Sequence, residues 1–260
     1  MLNICINGAE GRMGQTLALL VADSPDLALV GLLERAESDA IGNVVGDCIV
    51  TSDARAGLTG AQVAVDFSAP AATVALAAAA AELGVGLVIG TTGLNAEQET
   101  ALREAAKKIP VVYSGNYSLG VNVLATLVER AAAALPPELF DLEVFETHHG
   151  AKVDAPSGTA LLLGRAGAAG RGQDLDDVMV PSRHGHTGAR EKGAIGFSVA
   201  RGGDVPGDHT VFFFGPQERL ELTHRAGNRM IFARGALHAA RWTAGKPPGL
   251  YDMRDVLGLK

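Results

Sequence analysis

At 260 residues and 47% hydrophobic content, the chain can bury one large core or two modest ones and reads as globular. Its 33 glycines and 5% aromatic residues suit an α/β fold with many tight strand-to-helix turns better than an aromatic-rich β-sandwich. A formal net charge of -7 argues against a nucleic-acid or anionic-membrane partner, so any bound anion must be held by local positive charge.

The first half alternates short β-branched runs with alanine- and leucine-rich segments. LNICIN (2–7) reads as a strand, RMGQTLALLVAD (12–23) as a helix and DLALVGLLE (26–34) as a second strand, together a βαβ unit. VAVDFS (63–68), a helix to about Glu82, VGLVIG (85–90), a helix to about Lys108 and PVVYS (110–114) follow. Asn95 with Gln98 three residues on forms a capping box. Strands apolar on both faces imply a parallel sheet covered by helices, a doubly wound arrangement.

The pattern changes after Tyr117. A helix (about 120–135) leads to ELFDLEVFETHH, whose alternation suits a half-buried strand, and a further helix runs from about Ser157 to Gly170. GAIGFSVAR, HTVFFFG and ERLELTH read as antiparallel strands joined through GGDVPGD and GPQ. From Asn228 the chain is helical again, and its tail, KPPGLYDMRDVLG, reads as a turn plus a short helix. The two cysteines, Cys5 and Cys48, are not expected to pair. The N-terminus lacks a basic stretch before an apolar one, and no window approaches the ~18 apolar residues of a spanning helix. A reduced cytoplasmic protein is expected.

Three loops at strand ends carry the first functional signal. GAEGRMG (8–14) follows the first strand, and its glycines let the backbone turn sharply and bring a pyrophosphate to a helix N-terminus. Its G-x-x-G-x-x-G spacing differs from the commoner G-x-G-x-x-G, and a glycine-rich turn alone also fits a purely structural role. Glu34 ends the second strand, where a carboxylate can accept from an adenosine ribose, and Arg35 can pair with a 2′-phosphate. The same two residues also read as a solvated surface pair. Glu10 is an awkward neighbour for a pyrophosphate and is expected to point outward, with Arg12 supplying positive charge. GTTG (90–93) and SGNYS (114–118) are expected toward the nicotinamide half of the cofactor.

The second signal is ETHHGAKVDAPSGTA (146–160). Taken in chain order, GAEGRMG, ER (34–35), GTTG, NYSLGVN (116–122), this segment and RGGDVPGDHTV (201–211) resemble the dihydrodipicolinate reductase family, also called 4-hydroxy-tetrahydrodipicolinate reductases. The resemblance runs from the first strand to about Trp242, and HHxxKxDxPSGTA is its most specific part. Departures are Glu10, Gly115 and Tyr117 in their loops, and the His184-Gly185-His186 group.

The resemblance implies reduction of 4-hydroxy-tetrahydrodipicolinate in the diaminopimelate and lysine pathway, with NADH and/or NADPH. It implies cofactor contacts from Gly8, Ala9, Glu10, Gly11, Arg12, Met13, Glu34, Arg35, Gly90, Thr91, Thr92, Ser114, Gly115, Asn116 and Tyr117. His148 and Lys152 take catalytic roles, while His149, Gly158 and Thr159 hold a small cyclic dicarboxylate. It also implies a Rossmann-like doubly wound parallel-sheet domain (1–118 and 228–260). The other domain (119–227) is an α+β substrate-binding and tetramerisation domain with a mainly antiparallel open sheet. A homotetramer without nucleic-acid, membrane or metal partners is expected.

The chemistry fits those residue types. The Pro-Ser-Gly-Thr turn opens a helix, so its N–H groups and the Ser157 and Thr159 hydroxyls can grip a carboxylate, while His148 or Lys152 can deliver a proton. Adjacent histidines on one strand face opposite ways, so the doublet must fall where the strand ends. Asp154 reads as a turn or capping residue and Glu146 as support for the histidines. Arg201, Gly207 and His209 belong to a glycine-rich connection whose glycines a hairpin explains, with a direct substrate role for Arg201 or His209 as the alternative, and the His184/His186 pair lacks further zinc ligands. A serine hydrolase using Ser157, a non-catalytic dinucleotide sensor and a reductase of another small imino or oxo acid are the alternatives.

Overall fold

The computed structural model describes residues 1–260. The chain begins with β1 (Leu2–Asn7), α1 (Arg12–Ala22), β2 (Leu27–Leu33), β3 (Val44–Val45), β4 (Cys48–Thr51) and α2 (Ala54–Leu58). It continues through β5 (Val63–Asp66), α3 (Pro70–Leu83), β6 (Gly86–Ile89), α4 (Ala96–Ala106), β7 (Pro110–Tyr113) and α5 (Leu119–Ala134). Next come β8 (Asp141–His148), α6 (Gly158–Gly170), α7 (Leu175–Val178), β9 (Met179–Val180), β10 (Ile195–Arg201), β11 (Asp208–Gly215) and β12 (Glu218–Arg225). The last elements are α8 (Met230–Thr243), β13 (Gly249–Tyr251) and α9 (Met253–Val256). No helix is long and apolar enough to cross a membrane. Both cysteines are free and buried.

Two compact units emerge, Met1–Leu119 with Met230–Lys260, and Gly120–Arg229. The first holds an eight-stranded sheet ordered β13-β7-β6-β5-β1-β2-β4-β3, parallel except where β3 meets β4. Along β1, alternate side chains enter opposite layers: Ile4 and Ile6 pack with residues of α1 and α8, while Cys5 packs with Leu76 and Ala77 of α3. That double covering is why β5 and β6 are buried at every position. β2 and β5 flank β1 on opposite sides, which makes the carboxyl end of β1 the switch point where doubly wound sheets bind ligands. The capping box at Asn95 and Gln98 forms as expected.

Two stretches of the first unit depart from the sequence reading. The tail is more than a turn and a helix, because Gly249–Tyr251 adds a parallel strand beside β7; three residues acquire strand structure only through that partner. Between Arg35 and Gln62, where no elements were expected, β3, β4 and α2 extend the sheet past β2.

The second unit holds a five-stranded sheet ordered β12-β11-β8-β10-β9. β11 runs antiparallel to β12 and to β8, while β10 runs parallel to β8 and β9. β10 and β11 are therefore not a hairpin. The expectation that a hairpin explains the glycines of this connection fails, because β8 lies between the two strands and residues 202–207 must cross its end. The inward phase of β8 runs Leu142, Val144, Glu146, His148, all buried. Leu142 and Val144 join the core with Leu163 of α6, Phe197 of β10 and Phe213 of β11. The last two inward positions are polar, and they lie at the end that residues 202–207 cross.

Candidate active site

The glycine loop of the first unit uses its own amides to hold its shape. Gly8 and Ala9 N–H both donate to the Leu33 carbonyl, at 2.9 and 3.1 Å, and Gly11 N–H returns to Gly8 O at 3.1 Å. Glu10 N–H donates to Glu34 Oε2 at 3.0 Å. Gly8 has φ +82°, and a Cβ there would lie 2.6 Å from Phe67 O; no other residue fits that turn without strain. At Gly14 an added Cβ would meet Gly8 O at 2.2 Å, so this glycine brings α1 against the loop.

Gly11 caps α1 without a side-chain hydrogen bond, and the Arg12 and Met13 amides therefore have no side-chain cap at a positive helix terminus. The Glu34 carboxylate is fixed by the Glu10 and Arg35 amides, each at 3.0 Å. Glu10 itself is held by the Ser38 hydroxyl. A cleft of about 500 Å³ is lined by Gly8, Gly11, Glu34, Arg35, Ala69 and Leu76 among others. Uncapped amides, an oriented carboxylate and an apolar wall fit a dinucleotide.

The neighbouring loops are organised by a residue that the sequence reading passed over. Asp66, wholly buried, accepts from Asn7 Nδ2 at 2.7 Å and Thr91 Oγ1 at 3.0 Å, and also from the Ser68 and Thr73 hydroxyls. Its signal was a carboxylate closing an otherwise apolar strand, VAVD. The Thr91 side chain is thus taken, whereas Thr92 is exposed. Gly90 leaves room for the Phe67 ring, 2.1 Å from where its Cβ would stand. Ser114 and Asn116 tie their turn together through Ser114 Oγ, and Gly115 lies beside Thr92. The Tyr117 side chain is core: it is 1% exposed and donates to the Ile89 and Val112 carbonyls. Only backbone atoms of Thr91 and Tyr117 are left for a cofactor contact.

In the second unit, β8 ends at His148 and the doublet straddles the strand end. His149 lies beyond it, where its amide donates to Val205 O at 2.8 Å and its Nε2 accepts from Arg229 at 2.9 Å. His148 is buried with Nδ1 against Glu146 Oε2. Register places Arg201 beside His148 on β10, and His209 beside Glu146 on β11. Arg201 Nη2 donates to Glu146 Oε1 at 3.0 Å and to Asp154 O at 2.7 Å. Lys152 Nζ pairs with Asp154 at 2.7 Å, so Asp154 is an ion-pair partner and not a helix cap.

Ser157 is the N-cap of α6, yet it cannot grip a ligand. Its N–H donates to Glu146 Oε1 at 2.9 Å, and its hydroxyl accepts from Ala160 N–H and shares a 3.1 Å hydrogen bond with His209 Nε2. The expectation that this hydroxyl would hold a carboxylate is corrected, because at 2% exposure it is a packed cap. Gly158 is different: no atom lies within 4 Å of a Cβ built there, and Thr159 follows in the same first turn.

Burial drives the His148 pKa below the ordinary histidine range despite the Glu146 carboxylate, with Lys152 and Arg201 adding to the depression. Burial takes His209 down to about 4. Burial alone would raise Glu146, but the Ser157 amide, Arg201 and His148 more than offset it, and its pKa is lowered. The cluster is thus an ionised carboxylate beside two neutral imidazoles, a guanidinium and an ammonium. Glu146, His148 and His209 bring ligand-capable atoms within 4.8 Å of one another, but the adjoining Arg201 and Lys152 charges repel a divalent ion.

A doubly wound sheet with an uncapped glycine-loop helix at its switch point, and a separate sheet carrying a His/Lys/Arg cluster, define an oxidoreductase with a Rossmann-like dinucleotide-binding fold. The family model described as dihydrodipicolinate reductase, N-terminus, matches residues 2–117, and its C-terminus counterpart matches residues 120–257. The chain is 53% identical over 264 residues to 4-hydroxy-tetrahydrodipicolinate reductase of Ruegeria pomeroyi, covering 98% of each. It is 48% identical to the enzyme of the same name from Nitrosomonas eutropha, over 100% of this chain and 99% of that one. A dipicolinate-bound dihydrodipicolinate reductase from Paenisporosarcina sp. TG-14 shares the fold, with a TM-score of 0.80, 22% identity and 97% coverage of each chain. The chain belongs to the dihydrodipicolinate reductase family.

Proposed function

We propose that the protein reduces 4-hydroxy-tetrahydrodipicolinate, by way of dihydrodipicolinate, to tetrahydrodipicolinate in the diaminopimelate route to lysine. The observation that carries this reading is the gathering of His148 and Arg201 around Glu146 at the amino end of α6, with Lys152 beside His148. A cyclic dicarboxylate needs cationic and N–H contacts together with a proton source, and this cluster holds both. His149, Gly158 and Thr159 are assigned to substrate binding, with the open space over Gly158 receiving a carboxylate.

The cofactor is NADH or NADPH, held by the Arg12 and Met13 amides, Glu34 and Arg35, with Gly90, Thr92 and the Ser114–Asn116 turn toward its nicotinamide end. When bound, it supplies a hydride. Neutral His148 takes a proton from the ring carbon next to the hydroxyl-bearing one, and the Lys152 ammonium protonates the departing hydroxyl, which leaves as water. After hydride addition to the conjugated ring, the imidazolium returns its proton to the neighbouring carbon, and Lys152 regains one from solvent.

We further propose a cytoplasmic homotetramer. The outward face of the second unit's sheet supports it, with Phe145 and Phe214 about 40% exposed and Phe212 stacked on Phe214; such an apolar patch suits an interface. The reading is tested by generating 4-hydroxy-tetrahydrodipicolinate in place with its upstream synthase and following NADH and NADPH absorbance separately. Oxidation of either supports it. Binding of cofactor with no oxidation would sink the substrate assignment.

A further inference from the structure

Glu146 touches more of the site than any other residue, yet the mechanism above gives it no part. We propose that Glu146 is the positioning residue of the site: it holds the His148 proton on Nδ1, leaves Nε2 as the acceptor, and ties the amino end of α6 to the same carboxylate. The catalytic consequence rests on the reductase reading; the tautomer does not.

Glu146 occupies an inward position that continues the apolar phase of Leu142 and Val144, and it is 1% exposed. A buried carboxylate persists there only if nearby partners offset its charge. Oε1 is filled by Ser157 N–H and Arg201 Nη2. Oε2 is in ion-pair contact with His148 Nδ1, without the alignment of a regular hydrogen bond, whereas His209 Nε2 stands 4.0 Å off and is directed to Ser157 Oγ. An ionised carboxylate only accepts, so the nitrogen against it must carry the proton, and a neutral imidazole then has its lone pair on the other nitrogen.

The surroundings leave that other nitrogen accessible. A Cβ at Gly207 would come within 2.8 Å of His148 Nε2, so glycine there keeps a side chain off it. The His209 ring meets His148 edge-on at 5.1 Å and fixes the ring plane. The charged and titratable groups facing His148 are Glu146 on its own strand, Arg201 on β10, His209 on β11, and Lys152 and Asp154 from the following loop. Of the two carboxylates, Asp154 is paired with Lys152. A Ser157–His209–Glu146 relay is ruled out by geometry, since both partners meet His209 at the same nitrogen.

Long-range ¹H–¹⁵N spectra of the wild-type imidazoles, with His148 assigned by comparison with His148→Gln, read the tautomer directly. The Nδ1–H form is expected near neutral pH; the Nε2–H form would overturn the proposal. Glu146→Gln should then shift the His148 tautomer population and its titration, and lower kcat on the order of 10²-fold with NADH affinity unchanged. Glu146→Asp should restore part of both. A Gln variant with wild-type kcat and a wild-type His148 titration would also overturn it. If Glu146→Gln does not fold, the wild-type tautomer decides alone. If wild-type protein does not oxidise NADH or NADPH with the substrate, the reductase reading fails while the tautomer still tests Glu146.

Discussion

Arg201 reaches across 55 residues of sequence to donate to Glu146 Oε1 at 3.0 Å. The register of β10 against β8 sets that contact, placing Arg201 beside His148. Arg201→Ala leaves a buried carboxylate short of its cation, a change worth about 3 kcal/mol or more. Urea denaturation should show this loss. An unchanged midpoint would mean that water substitutes for the guanidinium.

Lys152→Ala should lower kcat about 10²-fold or more while calorimetry shows little change in NADH binding. The side chain sits in the second unit with Asp154 as its only ion-pair partner. Unchanged kcat would remove Lys152 from the mechanism.

Two glycines should respond in opposite ways. Gly8→Ala puts a side chain at φ +82° and 2.6 Å from Phe67 O, costing about 1–3 kcal/mol and lowering both Tm and dinucleotide affinity. Gly158→Ala meets nothing within 4 Å, so Tm should hold while KM for the dicarboxylate rises about tenfold. A Gly158→Ala enzyme with an unaltered KM would place the substrate elsewhere.

Arg35 lines the same cleft as the fixed Glu34 carboxylate. Arg35→Ala should weaken NADPH about tenfold, the loss of one charge-assisted contact, and leave NADH nearly unaffected. Equal effects on both cofactors in calorimetry would show that Arg35 does not read the 2′ position.

His209 makes stability depend on pH. Its folded pKa is depressed to about 4 from an ordinary 6.5, so between those values the unfolded chain takes up a proton that the folded chain refuses. Stability is full above about pH 6.5 and is lost as pH falls toward 4, by about 3 kcal/mol at most. Burial lowers His148 as well and adds to the loss with the same sign. Denaturation midpoints at pH 7 and 5 should therefore differ less in His209→Gln than in wild type. Equal differences would refute this account.

The first unit was legible because its strands are apolar on both faces and its helices carry their own start signals, such as Asn95 with Gln98. β3 and β13 were not, because two or three residues carry no period, and β4 was passed over although it is as long as β5, β6 and β7. In the second unit, the sequence located β8, β10, β11 and β12 and the GPQ turn paired β11 with β12, but nothing placed β8 between β10 and β11, since a period of two reports a face and says nothing about which strand lies alongside. That gap hid the meeting of Arg201 and His209 around Glu146. Glu146 and Asp66 did leave a trace: each is a carboxylate falling on an apolar phase, in LEVFETH and VAVD, and such a residue must have buried partners.

Because β8 separates β10 from β11, residues 202–207 have to arch over the strand end that carries His148. An ordinary hairpin would have placed such a turn away from the chemistry. Here, residues 202–204 are exposed while Gly207 is buried beside His148, so lengthening or shortening the loop changes what stands over the cluster. Loop length at this point therefore bears directly on the room left above His148.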